Sequence, residues 1–74
     1  MTRLQALKKK FGEHIRGIRE SKGMSQQDVA NNCNMDKPWI SRFENGQKGI
    51  TLATIFELAK GLEVSPSKLI DFKE

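Results

Sequence analysis

A chain of 74 residues, 36% apolar and 30% charged, can bury one small core, which excludes a second domain and a deep enclosed pocket. Its net charge of +4 is uneven, with seven Lys/Arg against two Glu in residues 1–24, and this balance favours a polyanionic partner. No apolar run approaches the roughly 20 residues that cross a bilayer, no signal-peptide pattern opens the chain, and the lone Cys33 makes neither a disulfide nor a zinc site, so a cytoplasmic protein without cofactor, metal or membrane partner is expected.

Apolar residues recur at intervals of three and four throughout, with no sustained alternation, which predicts an all-α fold in a single domain spanning residues 1–74. Leu4, Leu7, Phe11, Ile15 and Ile18 fall on one face of a first helix that Gly23 ends, weakened by Gly12 and Gly17. Ser25-Gln26-Gln27-Asp28 has the spacing of a capping box and opens a second helix, which turns Val29, Ala30 and Cys33 inward and must end by Asn34, a residue that tolerates the left-handed conformation better than most non-glycines. The Cys33 thiol is expected to be buried and inert.

Asp36 is a good N-cap, and Lys37-Pro38 places proline in the first turn of a third helix, where its missing N–H costs nothing. That helix stops near Asn45-Gly46, both suited to a left-handed exit. Thr51 caps a fourth helix that Gly61 closes, with Leu52, Ile55, Ala59 and Leu62 as its inward stripe and Leu58 beside it. Ser65-Pro66 then starts a short fifth helix carrying Leu69 and Ile70.

The pair of short helices over about residues 25–45 has the pattern of a DNA reader. Counting from Gln26 as the first position, small Ala30 is fifth and Ile40 fifteenth, with Val29, Cys33, Met35 and Phe43 completing an apolar set. A small fifth residue lets the two helices approach closely and cross steeply, so that the second protrudes. From Phe11 to Phe72 the chain resembles the Xre-type helix-turn-helix family of phage repressors and Cro proteins. The resemblance rests on Ile18-Arg19-Glu20, Lys22-Gly23-Met24-Ser25-Gln26, Val29-Ala30, Ile40 to Gly46, Leu58 to Leu62 and Val64-Ser65. It implies a five-helix, lambda-repressor-like domain that regulates transcription in a bacterium or phage. Asn34 stands where that family usually has glycine, and Pro38 is unusual in the reading helix.

At 100° per residue, Asp36, Ile40 and Phe43 share one face of the third helix, leaving Pro38, Ser41, Arg42 and Asn45 opposite and Lys37 and Trp39 on the flanks. Lys37 and Arg42 can donate to guanine O6 and N7, Ser41 can donate or accept, and the Pro38 ring suits a thymine methyl; the alternative is that both cations touch only phosphates. The resemblance implies phosphate contacts at Gln26, Asn45 and Lys48, and an ion pair of Arg19 with Glu44 beneath the reading helix. Trp39 is expected half-buried against the second helix rather than stacked on a base, and His14 exposed. Lys8-Lys9-Lys10 reads as a solvated face, with a helix lying along phosphates as its alternative.

Proteins of this type bind double-stranded DNA as dimers on half-sites about 34–36 Å apart, so a homodimer on a near-palindromic operator is expected. Pro66, Leu69, Ile70 and Phe72 have little chain left to cover them and form the expected interface. The rival is a protein-interaction module, antitoxin-like, with a cognate toxin or polymerase as partner. Loss of the basic face would favour it, but Lys37, Arg42 and Lys48 are present. An enzyme has no support, since no nucleophile–base pair, phosphate-binding glycine loop or metal spacing occurs.

Overall fold

The computed structural model describes residues 1–74 and contains five helices and no strand: α1 (Arg3–Ser21), α2 (Gln26–Asn31), α3 (Lys37–Glu44), α4 (Leu52–Leu62) and α5 (Pro66–Leu69). No helix is long and apolar enough to cross a membrane.

Local chemistry accounts for the helix starts. Ser25 Oγ accepts from the Asp28 N–H at 3.0 Å while Asp28 accepts from the Ser25 N–H at 2.8 Å, closing the capping box of α2. Asp36 accepts from the Trp39 N–H, and Thr51 from the Thr54 N–H, so α3 and α4 begin where expected. Thr2 and Gln5 make a second capping box on α1. Ser65 differs: it occupies the N-cap of α5 without a side-chain cap, its hydroxyl bonding that of Ser67.

The helix ends depart further from expectation. Helix α2 stops at Asn31, and neither Asn34 nor Asn45 is left-handed; Gly46, at φ +70°, alone takes the exit after α3. Gly61 does not close α4 but lies buried inside it, and Glu63 beyond it takes the left-handed position at φ +59°. The reason is steric. A Cβ on Gly61 would meet Val29 Cγ1 and the Val29 carbonyl oxygen at 2.8 Å, so this glycine lets α4 lie directly on α2. Gly12 does the same for α1, since a Cβ there would collide with the carbonyl oxygens of Phe43 and Glu44.

The core comprises Phe11, Ile15 and Ile18 from α1, Val29 and Ala30 from α2, Ile40 and Phe43 from α3, Leu58, Ala59 and Leu62 from α4, and Leu69 from α5. Burial of each large aliphatic side chain contributes about 1.5–3 kcal/mol. Leu4 and Leu52, expected inside, are 61% and 71% exposed because each lies in the first turn of its helix, beyond the packed neighbours. Cys33 is half-buried just past α2, where its Sγ–H donates to the Val29 carbonyl. Burial pushes the thiol above its ordinary 9.0, so it is neutral at physiological pH.

Candidate nucleic-acid interface

Helix α3 is fixed from beneath. Ile40 and Phe43 enter the core, and Glu44, 7% exposed, is a buried charge at its C-terminal end. Arg19 of α1 meets Glu44 with a bidentate fork, Nε to Oε2 at 2.6 Å and Nη2 to Oε1 at 3.0 Å, while Nη1 donates to the Met24 carbonyl at 2.8 Å. Gln26 Nε2 adds a third donor to Glu44 at 3.1 Å. One carboxylate thus joins the ends of α1, α2 and α3. The hydrogen bond to Glu44 raises the Arg19 pKa against the opposing effect of burial, so the guanidinium stays charged.

The outer face of α3 is open. Lys37, Pro38 and Arg42 are exposed and Ser41 is half-buried, its Oγ accepting from Asn45 Nδ2 at 3.4 Å across one turn. The ion pairs are Arg3–Glu74, Arg16–Glu20 and Arg19–Glu44, so the exposed Lys37 and Arg42 and the half-buried Lys48 have no carboxylate partner. Gln26 has one amide N–H committed to Glu44 and the other free at the start of α2.

Trp39 is half-buried, and its ring leans on Phe43 at a centroid distance of 6.3 Å. It also has a role the sequence did not disclose: the Lys48 ammonium lies 4.0 Å from the ring centroid and the Arg42 guanidinium 5.5 Å. The indole holds one cation from α3 and one from the loop after it, limiting the rotamer freedom of both. An aromatic flanked by cations three and nine residues on was the available clue, but only the course of the loop brings Lys48 back over the ring.

His14 is not the exposed residue expected. Its Nε2–H donates to the Lys68 carbonyl at 2.8 Å and its ring stacks on Phe72 at 5.1 Å, fastening the C-terminal segment to α1. The C-terminal residues expected to form an interface also divide. Leu69 has no exposed surface and belongs to the core, and Phe72 is half-buried against Phe11 and His14. Pro66 is half-buried, and Ile70 remains 61% exposed. Leu52 and Phe56, one turn apart on α4, add apolar surface that was not foreseen.

A family model described as helix-turn-helix matches residues 15–69. The control protein C.BamHI of Bacillus amyloliquefaciens is 40% identical over 63 residues, covering 84% of this chain and 78% of that relative. The crystal structure of the restriction-modification controller protein C.AhdI from Aeromonas hydrophila superposes with a TM-score of 0.84 at 32% identity, over 92% of this chain and 99% of that one. The restriction-modification controller C.Esp1396I, solved as a tetramer with its natural 35 base-pair operator, superposes with a TM-score of 0.80 at 32% identity, over 96% and 90% of the two chains.

Proposed function

Because the chain belongs to the helix-turn-helix family of DNA-binding transcriptional regulators, we propose that it acts by occupying an operator, as a small controller of the restriction-modification type. The carrying observation is the two-sided character of α3. Its inner face is locked by Ile40, Phe43 and the Arg19–Glu44 pair, while its outer face offers Lys37, Pro38, Ser41 and Arg42 to a groove. The first turns of such helices read base edges, which favours Lys37, and Arg42 in the last turn of α3 offers a second fork that suits guanine O6 and N7. Gln26, bonded to Glu44, and Asn45 and Lys48 beyond the end of α3 supply phosphate contacts that set register.

The active form is a homodimer on a near-palindromic site, with Ile70 and the half-buried Pro66 at the C-terminal face joined by Leu52 and Phe56 of α4. One reading helix per subunit then spaces the half-sites about one helical turn apart. Control follows from occupancy, with no catalytic step. Selection of bound duplexes from random DNA is expected to return a two-fold symmetric site with that spacing. Failure to enrich any sequence at low salt overturns the assignment.

A further inference from the structure

We propose that the DNA-contacting surface continues beyond α3 and its loop onto α1, where Lys8 takes a backbone phosphate beside the one held by Lys48; this rests on the DNA-binding reading above. Helix α1 lies directly on the C-terminal end of α3. Gly12 meets the Phe43 and Glu44 carbonyls, and a Cβ on Gly46 would stand 2.9 Å from Lys9 Cα, so the helix and the loop after α3 touch backbone to backbone. This contact places the Lys8 side chain across Gly49, with Cε 3.6 Å and Nζ 3.9 Å from the position a Cβ would take there.

The neighbouring Lys48 turns its ammonium onto the Trp39 ring. Lys8 and Lys48 line one shallow groove, neither has a carboxylate within ion-pair distance, and the acid that shares the groove, Glu74, is taken by Arg3. Two cations brought by two elements to one groove, neither neutralised by a carboxylate, suit an extended polyanion. The partner that meets cations in a row beside a groove-reading helix is the DNA backbone.

The lysine run is therefore not uniform. Lys10 lies about 200° around the helix from Lys8. It shares the side of α1 that carries His14, which is fastened to the Lys68 carbonyl and Phe72, and it does not line the groove that Lys8 and Lys48 share. The test compares Lys8→Ala with Lys10→Ala in the full chain, measuring affinity for a mixed-sequence duplex as a function of salt. Lys8→Ala is expected to reduce the slope of log K against log salt by about 0.9 per subunit, on any sequence, with an unchanged melting temperature. Lys10→Ala is expected to leave the slope alone. Equal slopes for wild type and Lys8→Ala, or equal losses in both variants, overturn the proposal while leaving the reading helix untouched. A wild-type protein that binds no duplex overturns the DNA-binding reading itself.

Discussion

Glu44 is the residue on which the geometry of α3 most depends. It is buried and accepts from Arg19 twice and from Gln26 once. Glu44→Ala leaves the Arg19 guanidinium unpaired in a low-dielectric site, which costs about 3–5 kcal/mol; a large drop in the urea midpoint checks this, and an unchanged midpoint contradicts it. Because the raised Arg19 pKa belongs to a cation, its contribution is fully present below the ordinary arginine value and fades only as pH rises through the folded one. Mild alkali therefore does not weaken the pair through Arg19. Under the proposed roles of the outer cations, Arg42→Ala should cost about 1–3 kcal/mol and relax preference at one base position, whereas Lys48→Ala should weaken all sequences alike. Binding to a panel of single-base operator variants separates the two, and identical profiles contradict the division.

At the scale of elements, what was legible in advance was whatever the chain decides within one turn. The caps at Ser25, Asp36 and Thr51 use side chains three residues from their partners, so their spacing alone places the starts of α2, α3 and α4. Helix ends were less legible because glycine has two uses. Gly46 serves backbone freedom, but Gly12 and Gly61 serve close approach between helices, and nothing local distinguishes the cases. Gly17 has open space around it, so Gly17→Ala should stabilise the protein by about 0.5–1 kcal/mol through helix propensity. Gly12→Ala, in the same helix, must push α1 from α3 and should cost about 1–3 kcal/mol or more. Thermal unfolding of the two variants is expected to move in opposite directions.

For the whole molecule, the apolar surface left over after folding points to self-association. Leu52 and Phe56 on α4 and Ile70 beyond α5 are more than half exposed and belong to the proposed dimer face. Phe56→Asp combined with Ile70→Asp should give a monomer in analytical ultracentrifugation with little change in melting temperature, since neither side chain supports the core; a retained dimer would move the interface elsewhere. The sequence by itself determined the all-helical class, the three well-capped helix starts and the residue types on the outer face of α3, because periodicity and caps act over a few residues. Only the tertiary structure decided that Leu69 is core and Leu52 surface, that Gly61 packs α4 on α2, that His14 fastens the C-terminal segment, and that Trp39 gathers Arg42 and Lys48. Each of these depends on which elements meet in space, and that is set by how the helices cross rather than by the residues beside each position in the chain.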